Sequence, residues 1–306
     1  MTSDQQTDST ETASRNPAHV PLGDLAAVWP RVTAWLDRIR QLPSTQEEFT
    51  NRYGAFHDEE SLSVFLYALV QAGILGHMLG TPADIRKRIA EDPDYLIGPR
   101  MPDECYGAVI WLAGRAGSRA GTIGITYDSL PMILDPGNGT PEQRAKALRE
   151  ILTSKGGIGP EADRTAGEAE QIRLRLEAVR DELAHCIGEL HEHSPLPEAY
   201  RTIGGRPGEE EVARKEALIR DLREVHTTAH LVASALTRAG SVIERQRDVC
   251  ANVPTVVTAV CRAGDDTQLS RHVWVGDILG SLMGNGSQWK AAQKAADDFV
   301  QRALVS

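Results

Sequence analysis

Two long runs of apolar residues at alternating three- and four-residue steps constrain this chain more than any other feature. Sustained steps of this kind place one apolar stripe along each of two helices. Residues 194–208 separate the runs, and their prolines and glycines cannot continue a helix. The first stripe consists of Ile172, Leu176, Val179, Leu183, Ile187 and Leu190, and the second of Leu218, Leu222, Val225, Ala229, Val232, Leu236, Ala239 and Ile243. We therefore expect a long antiparallel coiled-coil hairpin with arms at about 161–193 and 209–248 and a polar tip at 194–208.

The composition favours the same fold class. Of 306 residues, 41% are hydrophobic and only 5% aromatic, which is typical of long helices and not of a β-sandwich. The prediction is an all-α protein: a single elongated helical-bundle domain over 22–306, preceded by a disordered polar tail at 1–21. The net charge of 33 − 43 = −10 excludes a generic nucleic-acid binder.

The tail has neither a basic nor an apolar segment of the kind found in a classical signal peptide. We expect a soluble protein that is either cytoplasmic or secreted by another route. Cys105, Cys186, Cys250 and Cys261 show no CxxC spacing, so we interpret them as small buried hydrophobic residues.

The most apolar stretch runs from Ser61 to Ala83 and contains no formally charged residue. About 20 such residues are needed to cross a bilayer as a helix. Two interpretations stay open: a central core helix, or a segment that leaves the core for a membrane. In either case the residues concerned are Leu62, Phe65, Leu66, Leu69, Val70, Ile74, Leu75 and Leu79.

Small residues recur at every fourth position in three places, a pattern that lets helices approach closely. The positions expected to pack closely include Ala72, Gly76, Gly80, Gly117, Gly121, Gly276 and Gly280. The group that includes Gly117 and Gly121 is expected to pack against the helix before it in the sequence. Arg115 and Arg119 lie within that group and argue against a membrane span there.

Few residues suggest chemistry. His226 and His230 share a helix face at i, i+4 and are candidate metal ligands, but the glutamate of a zinc protease is absent between them. The alternative is a solvated or partner-facing pair of histidines. A second cluster near the hairpin tip is too far along the rod to join them; it comprises His185, His191, Glu192 and His193.

Two further motifs also have structural interpretations. The run His57-Asp58-Glu59-Glu60 is typical of a helix N-terminus, although a catalytic carboxylate pair is the alternative. The glycine-rich run at 156–160 lacks the GK[ST] of a phosphate loop. No catalytic site and no cofactor is predicted.

The arrangement resembles the α-helical pore-forming toxins related to cytolysin A, haemolysin BL components and the xenorhabdolysins. The segments that are similar are Tyr106-Gly107-Ala108-Val109-Ile110-Trp111-Leu112-Ala113, Ala120-Gly121-Thr122-Ile123 and Leu130-Pro131, with the long helix from Ala162 to Leu190, its return arm, and the helix from Trp289 to Leu304. The resemblance implies an elongated bundle whose head inserts into a membrane on oligomerisation, and it implies no catalytic residues.

The chain departs from that family in where its apolar run lies. The hairpin tip is short and polar, whereas the apolar run is at Leu62 to Leu79. This suits a component that needs partner subunits, or a relative that kept the rod and lost the activity.

The first hypothesis is a toxin-like component acting by membrane- or partner-triggered rearrangement and oligomerisation; its partners would be toxin subunits, further copies or lipid. A non-toxic helical scaffold is the second hypothesis, and a metal-dependent helical-bundle enzyme is the third.

Overall fold

The computed structural model describes residues 29–43, 45–54, 59–192 and 209–305. About 85% of these residues are helical, and no strand occurs within them, which confirms the all-α prediction. The helices are α1 (Trp29–Arg40), α2 (Gln46–Tyr53), α3 (Glu59–Leu79), α4 (Pro82–Glu91), α5 (Cys105–Ile133), α6 (Pro141–Thr153), α7 (Ile158–Glu192), α8 (Glu209–Ala263), α9 (Asp266–Leu269), α10 (His272–Met283) and α11 (Gly286–Val305). A 3₁₀ turn, Pro136–Asn138, precedes α6.

Helix starts follow the capping residues that the sequence supplies. The side chain of Thr45 accepts a hydrogen bond from the backbone N–H of Glu48 at the start of α2. Thr140 caps α6 with Pro141 at the first helical position. Such caps satisfy backbone donors that have no partner inside the helix. Asp265 caps α9 in the same way.

The two longest helices, α7 and α8, make the most extensive contact in the structure. Glu170 on α7 pairs with Arg247 on α8, and Gly159 lies against Val257, so the two helices run antiparallel along these segments. Every predicted stripe residue whose side chain is described is buried: Ile172, Leu176, Val179, Leu183, Val232, Leu236, Ala239 and Ile243. The tip at 194–208 lies outside the described residues, and the coiled-coil geometry stays a prediction.

The helix α8 is longer than the second hairpin arm predicted from the sequence. The sequence suggests a separate helix beyond Pro254, but α8 continues through this proline to Ala263. A proline inside a helix removes one hydrogen bond and costs about 3 kcal/mol. Burial of Val253, Val256 and Val257 around it offsets that cost, because each buried valine contributes roughly 1.5 kcal/mol or more.

The central helix α5 packs closely against α11. A Cβ atom added at Gly117 would lie 2.9 Å from Cβ of Ala296, and one added at Gly121 would lie 2.7 Å from Oε1 of Gln293. The close contact at these two glycines is therefore with α11 and not with the preceding helices, where the sequence pattern placed it. Spacing along one helix tells which residues face a neighbour, but it does not tell which neighbour they face.

Of the other positions predicted to pack closely, some do and some do not. A Cβ atom at Gly76 would come 2.6 Å from Cδ2 of Leu36 on α1, so α3 and α1 approach closely there. Gly80 ends α3 with φ of +72°, a conformation that favours glycine. At Gly276 and Gly280 a Cβ atom would meet nothing within 4 Å. Close packing does not apply at this last pair, because the neighbouring positions 275 and 279 are the ones that face the core.

Candidate interaction surface

One face of α3 exposes apolar side chains to solvent. Its residues are Tyr67, Val70, Ile74 and Met78, with exposed fractions from 41% to 65%, and we call them the α3 face. They recur at steps of three, four and four residues, so they lie on one side of the helix. The residues Leu66, Leu75 and Leu79 on the same helix are buried against the rest of the protein. A contiguous exposed apolar stripe of this kind is typical of an interaction site.

The structure thus separates the residues that the sequence placed in one apolar segment. Leu66, Leu75 and Leu79 belong to the core, whereas Val70 and Ile74 are exposed. The side chains of Leu62, Phe65, Leu69 and Ala72 lie outside the described part of the chain. Of the helices in the described ranges, α3 included, none combines the length and apolarity needed to cross a membrane.

The small residues of α3 indicate which side of this helix is exposed, although the segment is apolar on all sides. The small residue Gly76 marks the side of α3 that approaches α1. Larger residues such as Val70 and Ile74 are offset from it around the helix, because successive residues are separated by about 100°. The spacing of the small residues therefore indicated which side faces the protein, and the large apolar residues opposite it are those left exposed.

A groove of about 670 Å³ adjoins the carboxyl end of the α3 face. Ile74, His77 and Met78 form its apolar side, and charged residues of α4 and the following loop form its rim. The rim residues are Asp84, Lys87, Arg88, Glu91, Asp103 and Glu104. The groove therefore combines an apolar wall with a charged rim.

Several acidic rim residues already have partners within the protein. The carboxylate of Asp84 accepts hydrogen bonds from the backbone and hydroxyl of Thr81. Glu104 pairs with Nε of Arg88 at 3.3 Å and accepts a hydrogen bond from Tyr95. Burial, reinforced by the bond to Glu104, raises the pKa of Tyr95 above its ordinary value, so its hydroxyl stays a donor. These contacts fix the rim and leave Lys87 exposed beside Met78.

Among the side chains that the structure describes, the candidate metal and catalytic residues do not assemble into a metal site. Within the described ranges, no group of three or more His, Cys, Asp or Glu side chains is placed to hold a metal ion. His230 and His185 are exposed, and the side chains of His226, His191 and Glu192 are not described. His193, His57 and Asp58 lie outside the described residues, while Glu59 and Glu60 open α3 as predicted for a helix N-terminus.

The glycine-rich run at 156–160 spans the end of the turn between α6 and α7, at Gly156 and Gly157, and the first residues of α7. A Cβ atom at Gly157 would lie 2.6 Å from the carbonyl oxygen of Ile151, which explains glycine at this position without a ligand. The cysteines agree with the sequence interpretation where they are described. Cys105 and Cys250 are buried, Cys261 is half-buried, and burial raises the pKa of Cys105 to about 11.

The chain matches no protein-family model, and no curated protein matches it either.

Proposed function

We propose that this protein acts by association and not by catalysis, as a component of the kind found among α-helical pore-forming toxins. In this proposal, contact with a membrane or with partner subunits rearranges the bundle and leads to oligomerisation. The observation that supports it is the exposed α3 face.

The argument rests on the two sides of α3. Leu75 and Leu79 are buried on one side, and Tyr67 and Ile74 are exposed on the other. A helix that is apolar all round is normally buried all round. Among the described side chains of α3, those on one side are buried against the protein and those on the other are exposed. A second state in which the α3 face contacts lipid or protein would satisfy both sides, and two such states can differ by only a few kcal/mol.

A non-toxic scaffold is the second candidate function. The groove beside α3 favours it, because an apolar wall with charges of both signs on its rim suits the amphipathic helix of a partner protein. The two functions differ in their response to lipid.

The experiment that tests the proposal is release of a trapped dye from liposomes, with the same samples imaged by electron microscopy. The proposal expects leakage together with ring-shaped oligomers. The variant Ile74→Glu should abolish leakage, because a charge on the α3 face cannot be buried in lipid.

Leu174→Glu is the matched control. Leu174 is exposed to a similar extent, 50% against 47% for Ile74, but it lies on α7. This variant should leak like the unmodified protein. Absence of both vesicle binding and rings from the unmodified protein would overturn membrane-triggered action and leave either a component that needs partner subunits or the scaffold.

A further inference from the structure

We propose that residues 22–28 of this chain occupy the groove beside α3 and cover the carboxyl end of the α3 face. Their sequence is Leu22-Gly23-Asp24-Leu25-Ala26-Ala27-Val28, and they lie outside the described residues. We call them the 22–28 segment. The inference rests on the proposed function only in taking the α3 face as an interaction surface. It goes beyond that function by naming what covers the groove before any lipid or partner arrives.

The 22–28 segment joins the described structure beside the groove. Trp29, the first residue of α1, donates a hydrogen bond from Nε1 to the carbonyl oxygen of Gly80 at 3.4 Å. Its ring stacks on that of Tyr106, with the ring centroids 4.8 Å apart. A Cβ atom at Gly80 would lie 2.9 Å from Cβ of Glu104, which lines the groove. These contacts fix the point from which the 22–28 segment starts.

The direction of α1 places this starting point at the carboxyl end of α3. Trp29 lies against Gly80, and Leu36 lies against Gly76, so α1 runs back along α3 from that end. The residues before Trp29 therefore start where α3 ends and α4 begins. The groove is at the same end, because residues of both helices line it.

The 22–28 segment is long enough to reach the groove wall. Ile74 and Met78 lie on the side of α3 opposite Gly76, because each is two residues, or about 200°, away from it around the helix. The segment must therefore pass over the end of α3, which is about 10–12 Å across. Seven extended residues span about 23 Å, so the first residues of the segment can lie in the groove.

The groove wall and the 22–28 segment are both apolar. Ile74 and Met78 are 47% and 45% exposed, and Leu22 and Leu25 are the two leucines of the segment. Contact between these side chains removes apolar surface from water on both sides. The groove volume of about 670 Å³ is within the range of about 300–1,000 Å³ that encloses a small ligand, so two leucine side chains fit in it.

The charged rim favours an occupant with little charge of its own. Acidic residues are in excess on the rim, so a strongly acidic occupant would be repelled. Several of these carboxylates already accept hydrogen bonds or ion pairs within the protein, so a strongly basic occupant gains little from them. The 22–28 segment carries one charge, Asp24, and Lys87 is the exposed rim residue that can meet it.

Attachment in the same chain selects the 22–28 segment over an unlinked occupant. A short connection holds two groups at an effective concentration in the millimolar range. A partner or a second copy present at about 10 μM would have to bind about a hundredfold more tightly to displace the segment. The groove is therefore covered by its own chain until a tighter ligand arrives.

Thiol labelling of Met78→Cys in the full chain tests the inference. The 22–28 segment covers position 78, so the new thiol should react slowly with a maleimide. Adding Leu22→Glu and Leu25→Glu to this variant should raise the labelling rate at least about tenfold, because a charge is costly to bury against an apolar wall. Mass spectrometry of the labelled peptide separates the new thiol from the native cysteines.

Two controls isolate the cause. Thr7→Glu with Thr10→Glu places the same charges at the same spacing outside the 22–28 segment and should leave the labelling rate at position 78 unchanged. Leu174→Cys, at a position 50% exposed on α7, should react equally fast with and without the glutamates at 22 and 25. Circular dichroism shows whether each variant is folded. An equal rate at position 78 with and without those glutamates, or an equal rise with Thr7→Glu and Thr10→Glu, would overturn the inference.

The concentration dependence separates the segment of the same chain from that of a second copy. Protection of position 78 should be the same from about 1 μM to about 100 μM protein. Protection only at the upper end would indicate a second copy and overturn the inference. Because the labelling uses no lipid, the two proposals can fail separately. Protection without liposome leakage would count only against the toxin-like function, and leakage from a protein unprotected at position 78 would overturn the inference alone.

Discussion

The guanidinium group of Arg115 joins two helices of the bundle. Its Nε donates a hydrogen bond to Oε2 of Glu168 at 3.0 Å, across the contact between α5 and α7. The same group lies over the ring of Trp111, with Cζ 4.6 Å from the ring centroid. The Arg115 and Glu168 side chains are only 21% and 14% exposed. This pair therefore fixes the contact between α5 and α7 together with the ion pair of Arg119 and Glu161.

We expect Arg115→Met to destabilise the protein by about 2–4 kcal/mol at neutral pH, because it leaves the carboxylate of Glu168 largely buried without its partner. Urea unfolding followed by circular dichroism measures the change. Arg100→Met is the control: its pair with Asp103 is 84% and 80% exposed, so the loss should stay below about 0.5 kcal/mol. Equal losses in the two variants would contradict a structural role for the Arg115 pair.

The pH dependence of stability should show the effect of burying the carboxyl group of Glu168. Burial raises the pKa of this carboxyl group, although Arg115 opposes the shift. The folded state then binds a proton more readily than the unfolded state. The resulting contribution of Glu168 to stability is fully present below its pKa in the unfolded state, about 4.5. It is lost as the pH rises through its pKa in the folded state. The unfolding free energy of the unmodified protein relative to Glu168→Gln should therefore fall with rising pH, and a flat difference would argue against the burial of this charge.

Glu170, two residues further along α7, should behave in the opposite way. Hydrogen bonds from Arg173 and Arg247 lower its pKa to about 2. Its contribution is present above the unfolded pKa and is lost as the pH falls from about 4.5 towards about 2. Acid titrations of the unmodified protein and of Glu170→Gln should accordingly differ at pH 5 and converge near pH 2. Because the Glu170 side chain is partly exposed to solvent, added salt should reduce the difference, and a difference as large at pH 2 as at pH 5 would contradict the assignment.

Glycine substitutions on α5 should distinguish its two environments. In Gly117→Ala the new methyl group would lie 2.9 Å from Cβ of Ala296, so we expect a loss of about 1–3 kcal/mol. Gly114→Ala is the matched control on the same helix, where a Cβ atom meets nothing within 4 Å. Alanine favours a helix over glycine, so this variant should gain up to about 1 kcal/mol. Thermal melting of both variants measures the effects, and a loss in Gly114→Ala equal to that in Gly117→Ala would show that the contact with α11 is not the cause.

The sequence predicted the helices better than it predicted which helices contact one another. The steps that include Leu176 and Leu236 identified the buried sides of α7 and α8, because helical spacing records which residues avoid water. The same reasoning found that Gly117 packs closely but not that its neighbour is α11, since spacing along one helix does not encode the position of another.

The candidate surface was predictable only in part. An unbroken apolar run conceals the difference between a core side and an exposed side, so Leu75 and Ile74 could not be told apart from composition. Where a proline lies among buried residues of a helix, as Pro254 does in α8, local preference also misplaces the boundary, because packing outweighs it.

The pairing of α5 with α11 has a consequence for the order in which the chain folds. Gly121 and its partner Gln293 are separated by 172 positions in the sequence (293 − 121). At a synthesis rate of about 5–20 residues per second, α5 leaves the ribosome roughly 10 to 30 s before the helix that covers it. During that interval its glycine-lined side stays uncovered, and the nascent chain exposes apolar surface that the finished protein buries. Completion of the bundle therefore depends on one of the most distant contacts in the sequence, which is the kind of contact that slows folding.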